Sequence, residues 1–211
     1  MNPSLRDSVL DLFRTIDQTT AALRERAALA CATGCGTCCL SKHIEVTALE
    51  LVPLVSAFME TGRFEQLATA ALAVAPASPC LFYSPVPQVG SSGCCTVYDH
   101  RPSTCRLFGF AVARDKAGMP YLATCSKIRA NKPGEILLAG AGLAADGISL
   151  SFRDVSMQLM GIDPELGGRR MHINDALKYL VMREGLKLAY APMDDDEPTK
   201  PHVPRRPPRA A

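Results

Sequence analysis

Between Ser4 and Ala30 the apolar residues Leu5, Val9, Leu12, Phe13, Ile16, Leu23, Ala27 and Ala30 recur every three or four positions, with arginine and aspartate between them. That period is a helix with one buried face. Asn2 and Pro3 suit its start, as a cap and a first-turn proline. Gly34 is the first helix-ending residue downstream, so the pattern predicts Cys31 on the last turn. A second helix opens at "TALE", where Thr47 and Glu50 have capping-box spacing, and carries Leu51, Leu54, Val55 and Phe58 up to Gly62. Arg63 to Ala75 continues as a third, ended by Pro76. Late in the chain, Ser151 with Asp154 forms another box, and Asn174 is expected to cap "NDALKYLVMREGLKLAY".

Between these helices the periodicity fails. Ala75 to Gly93 is too rich in proline and glycine for a regular element and reads as a long loop, of the kind that tends to be functional. "CTVYDHRPSTCRLFGFAVA" reads as a short strand, a turn at Asp99 to Ser103, and a second strand or helix start from Leu107. From Pro192 onward, prolines, an acidic run at Asp194 to Glu197 and three late arginines predict a disordered tail. The expected fold is mainly α: a loop-rich helical domain organised around a cysteine metal site, with few short strands. Its expected parts are an amphipathic helix over 1–30, a cysteine-cluster region over 31–125, a helical remainder of the same globular unit over 126–191, and the tail over 192–211.

Charge and length exclude more than they assign. A chain of 211 residues can bury a core of its own. Its net charge of +2, from 23 basic and 21 acidic residues, makes no field for a polyanion or a membrane surface. Neither nucleic acid nor membrane is an expected partner. Arg6, Asp7 and Asp11 interrupt the apolar core that a signal peptide would need, and no apolar run reaches membrane-spanning length, so a cytoplasmic location is expected. No Ser-His-Asp set, carboxylate pair or phosphate loop stands out.

The cysteines change the picture. In a reducing compartment disulfides are rare, and nine cysteines read as metal ligands or reactive groups. Cys31, Cys35, Cys38 and Cys39 spell C-x3-C-x2-C-C, with Gly34 and Gly36 freeing the backbone to turn several sulfurs toward one point. Cys80, Cys95, Cys105 and Cys125 follow through the loop-rich middle. Thiolates select zinc or iron–sulfur clusters. Cys94, beside Cys95, reads as a small buried hydrophobe. Arg101 and Arg106 flank Cys105 and would stabilise an anionic cluster, unless they are surface arginines paired with Asp99 or Asp115. His43 and His100 are alternative ligand candidates, although an isolated histidine is by default surface or core.

"CATGCGTCC", the lone Cys80, "CTVYDHRPSTCR" and the trailing Cys125 resemble the bacterial YkgJ-type cysteine-cluster proteins, a zinc- or iron-chelating family. Its pattern is CxxxCxxCC, an intermediate Cys, C-x-[IV]-[YF]-x-x-RP-x-x-CR and a final Cys. Here Cys31, Cys35, Cys38, Cys39, Cys80, Cys95, Cys105 and Cys125 occupy those places, with Tyr98, Arg101, Pro102 and Arg106 in the second motif. The resemblance implies that both groups serve one region, holding an iron–sulfur cluster, [4Fe–4S] in first place, or zinc. Some relatives are similar to flagellin lysine N-methylases, so a cluster-dependent methylase using S-adenosylmethionine is the enzymatic alternative. A zinc-stapled interaction domain is the structural one. A redox partner or a protein substrate is implied accordingly, and the oligomeric state is left open.

Two further patterns are weighed and set aside. Cys31, Cys35 and Cys38 also have the radical S-adenosylmethionine spacing, but Thr37 stands where an aromatic is usual and no alternating βα pattern follows. "GAGLAA", Gly140 to Ala145, matches a dinucleotide-binding turn, but Asp146-Gly147 is a turn signal where a helix would have to open.

Overall fold

The computed structural model describes residues 3–26, 28–29, 35–85, 93–131, 136 and 150–190. Cys31, the "GAGLAA" stretch and the tail from 191 lie outside the described residues, as does Asn2.

Helix α1 spans Pro3–Arg26 and buries Val9, Leu12, Phe13, Ile16, Thr20 and Leu23 on one face. It ends well before Gly34, contrary to the expectation from the sequence. Leu29 N–H bonds Arg24 O at 3.2 Å and Ala28 N–H bonds Glu25 O at 3.3 Å, with Ala28 in the left-handed region at φ 47°. This is a Schellman closure. An alanine there costs about 1–2 kcal/mol, which burial of Leu29 offsets by a similar amount.

Strand β1 (Glu45–Thr47) leads into a 3-10 turn at Leu49–Leu51, and helix α2 (Val52–Glu60) follows, with Pro53 in its first turn. Thr47 and Glu50 meet as their spacing predicts, since Glu50 Oε2 accepts from Thr47 N at 2.6 Å. Their contact closes the 3-10 turn, and the α-helix proper starts later. Gly62, at φ 66°, turns the chain into α3 (Phe64–Ala73).

In the middle of the chain, β2 (Tyr83–Ser84) pairs antiparallel with β3 (Cys94–Cys95). A 3-10 turn at Tyr98–His100 precedes α4 (Ser103–Leu107). The sequence suggested a turn up to Ser103 and a new element only from Leu107. Pro102 instead stands just before the helix and starts it earlier, so Cys105 sits on a helical turn. Strands β4 (Ala111–Arg114) and β5 (Pro120–Ala123) form a hairpin, and α5 (Ser126–Asn131) follows.

Helix α6 (Phe152–Ile162) is capped as predicted, Ser151 Oγ accepting from Asp154 N at 3.0 Å. Helix α7 (Pro164–Gly167) and β6 (Arg170–His172) lead to α8 (Ile173–Ala189). Strand β6 returns to β1 antiparallel, Val46 opposite Met171. The cap of α8 is His172, whose Nδ1 accepts from Asn174 N at 3.3 Å, and not Asn174 as expected. Asn174 is already inside the helix, and its side chain is used on another segment.

The architecture is mainly α, with three two-stranded ribbons among the described residues. A large core gathers α1, α2, β1, α4, α6 and α8 through Val9, Phe13, Leu49, Leu54, Leu107, Leu159, Leu177 and Leu180. A smaller cluster holds Leu23, Leu29, Phe110, Val112, Leu122, Ile128 and Ile136, between the end of α1, the β4–β5 hairpin and α5. Among the described residues no helix is long and apolar enough to cross a membrane.

Candidate metal centre

Eight cysteines, Cys35, Cys38, Cys39, Cys80, Cys94, Cys95, Cys105 and Cys125, line one cavity of about 1120 Å³. All eight are free thiols. The cavity lies at the junction of the two cores. Cys80 belongs to the large core and Cys39, Cys95 and Cys105 pack against it, whereas Cys125 packs against the small one.

Backbone bonds bring the distant segments together. Cys80 N donates to Cys39 O at 3.2 Å, joining the first motif directly to the lone cysteine. Asn174 holds the same loop from the other side: its Oδ1 accepts from Leu81 N at 2.9 Å and its Nδ2 donates to Pro79 O at 2.9 Å. Tyr83 pairs with Cys95 in the β2–β3 ribbon, and Thr96 N donates to Phe82 O at 2.9 Å. The glycines beside the cysteines let main chains cross. A Cβ on Gly36 would stand 2.6 Å from Gly93 O, while Gly93 has φ 87° and no room for a side chain against Ser84 O. Cys105 is set by Glu50, a carboxylate with no exposed surface. Glu50 Oε2 accepts from Thr47 N and Thr47 Oγ1, and its Oε1 accepts from Ser103 Oγ and Thr104 N at the start of α4. Four neutral donors make that buried charge tolerable.

Cys38, Cys39, Cys80, Cys95 and Cys105 are close enough to act electrostatically on one another. The Cys39 thiol donates to the Cys38 sulfur, which holds Cys38 below and Cys39 above the usual thiol range. Burial, more than any neighbour, pushes Cys80 up to about 11 and also raises Cys95 and Cys105. These thiols therefore keep their protons until a cation replaces them. Among the described residues no three His, Cys, Asp or Glu side chains already close on one point as a finished metal site. Five of the thiols nevertheless act on one another across the shared cavity. Soft, reduced sulfur donors converging from five segments fit zinc or iron.

The two arginines of the second motif part company. Arg106 is buried and spent on structure: it pairs with Asp17, donates to Arg101 O at 2.7 Å and to Asp99 O, and lies 4.5 Å from the centre of the Phe13 ring. Its ion-pair partner is Asp17 on α1, and the Asp99 carboxylate adds a weaker attraction. Arg101 stacks on Tyr98, and its charge favours the thiolate forms of Cys38 and Cys95. Two cavity residues were missed in the sequence. Cys94 lines the cavity with the others, and Lys127 Nζ lies 3.8 Å from Cys35 Sγ. Adjacency to Cys95 was a signal for the first; for Lys127 the only one was its place two residues after Cys125. His43 is exposed, while His100 lines the cavity.

Residues 30–126 match the family model "CxxCxxCC: Putative zinc- or iron-chelating domain". The match supports metal binding through its cysteines, and it begins one residue before Cys31 and ends one after Cys125. It covers somewhat under half of the chain, leaving out α1 and α6 to α8, although those helices supply much of the core on which the matched stretch rests. No curated protein and no solved structure gives a significant match.

Proposed function

We propose that this protein holds an iron–sulfur cluster, in first place [4Fe–4S], on thiolates drawn from Cys31, Cys35, Cys38, Cys39, Cys80, Cys95, Cys105 and Cys125, and serves as a cluster-binding or electron-transfer module in a reducing compartment. The observation that carries this reading is the convergence of eight reduced thiols on one cavity, five of them within electrostatic reach of one another. Arg101 and Lys127 supply positive charge near the sulfurs, which favours an anionic cluster.

Purification without oxygen tests the reading. Iron and sulfide in equal amounts, with the broad absorbance near about 400 nm of sulfur-to-iron charge transfer, are expected. A colourless protein carrying stoichiometric zinc would replace the cluster with a structural zinc centre. Protein free of both metals would end the metal reading altogether.

A further inference from the structure

One group on the cavity wall is not used by the thiolates. His100 ends the Tyr98–His100 turn and lines the cavity. Of its two ring nitrogens only Nδ1 is buried without a hydrogen-bond partner. Leaving a buried polar nitrogen unpaired costs about 1–3 kcal/mol, so the fold keeps it there against a penalty. The turn is also held on both sides. His100 N donates to Val97 O at 2.9 Å, Arg101 Nε donates to Tyr98 O at 2.9 Å, and Asp99 O accepts from Arg106. In the chain His100 stands midway between Cys95 and Cys105, two cysteines that act on each other across the cavity.

We propose that His100 Nδ1 is a ligand of the metal centre, so that its coordination is mixed sulfur and nitrogen. The inference rests on the metal reading above and deepens it. Neutral imidazole with the proton on Nε2 presents the Nδ1 lone pair to the interior, the state in which histidine binds metals. It is a borderline donor that both iron and zinc accept beside thiolates. Replacing one thiolate by imidazole removes one negative charge from a wall that also carries Leu51, Leu54 and Ile173, where screening is poor. In iron–sulfur centres such a replacement raises the reduction potential. Thr124 Oγ1 is a second unpaired buried atom on the same wall, a hydroxyl with a proton free to donate.

The test uses the full chain, prepared without oxygen and labelled with 15N-histidine. Metal content is measured first; then pulsed electron paramagnetic resonance is run on the reduced iron centre, or on protein loaded with Co2+ if the native metal is zinc. A coordinated-imidazole nitrogen coupling that changes on labelling is expected. It is lost in His100→Ala and in His100→Cys, the latter retaining metal, and it persists in His43→Ala. Metal-loaded wild type without histidine nitrogen coupling, or coupling that survives both His100 substitutions, overturns the proposal and leaves the metal reading intact. Wild type that takes up no iron, zinc or Co2+ overturns both.

Discussion

The two cores differ in what holds them. Among the described residues the large one packs twenty-six buried side chains from elements along nearly the whole chain, including α1, α2, β1, α6 and α8. The small one has seven among the described residues, from the end of α1 with Leu29, the β4–β5 hairpin with Phe110, the short α5, and Ile136. A cluster of that size is marginal on its own, as small hydrophobic units generally are. The cysteines straddle the join, four associated with the large core and Cys125 with the small one. Hydrophobic burial suffices on one side, and on the other an ion bound by thiolates from both is expected to supply what burial does not.

The largest effect should come from taking the metal away. Under reducing conditions a strong chelator should raise amide hydrogen exchange in residues 108–131 by orders of magnitude more than in α2 or α8; equal changes in both regions would dissolve the distinction. Acid should act likewise. Cys80, Cys95 and Cys105 have raised pKa values in the free protein, so they bind protons at neutral pH and must release them on loading. Cys39 is raised as well, so titrating metal-free protein with zinc in weak buffer should liberate about three to four protons per metal, and release should become less favourable as pH falls.

Next in size is Gly93→Ala. A side chain there meets Ser84 O and the Tyr83 ring at φ 87°, so a loss of about 2–3 kcal/mol is expected, together with loss of metal, by thermal unfolding and elemental analysis. Gly62→Ala, with similar φ but open space, should cost about 1 kcal/mol and leave metal binding alone. Metal loss in both variants would show that the crossing at Gly36 and Gly93 is not special.

Glu50→Ala leaves the donors of Thr47, Ser103 and Thr104 unpaired inside the large core, at about 2 kcal/mol. Glu50→Gln should recover part of this. Because Glu50 sets the start of α4, the variant should also bind metal less tightly; unchanged affinity with lowered stability would confine Glu50 to the core. The smallest effect is expected at Lys127→Gln. Stability should move by less than about 0.5 kcal/mol, since the side chain is exposed, while chelator-driven metal release should quicken a few-fold as the cation beside Cys35 is lost.

The helices were legible because burial on one face leaves a period. Leu12, Phe13 and Ile16, or Leu177, Leu180 and Val181, face inward for the reason their spacing shows. The boundaries were less so. Ala28 takes a left-handed conformation because Leu29 gains burial in the small core, a tertiary contact with no local sign. Asn174 looked like a cap and instead holds the Cys80 loop across ninety-odd residues of chain.

The chain alone determined that thiols are many, clustered and flanked by glycine, and hence that soft metal chemistry is available, since ligand type and local backbone freedom are properties of residues and their neighbours. Only the tertiary structure decided which charges serve the site and which serve the fold. Arg101 and Arg106 look alike in "RPSTCR", but one reaches the sulfurs while the other is tied to Asp17 on α1. Cys94, His100 and Lys127 join the cavity for the same reason: electrostatics and coordination act through space over a few ångströms, and the packing of two cores sets those distances.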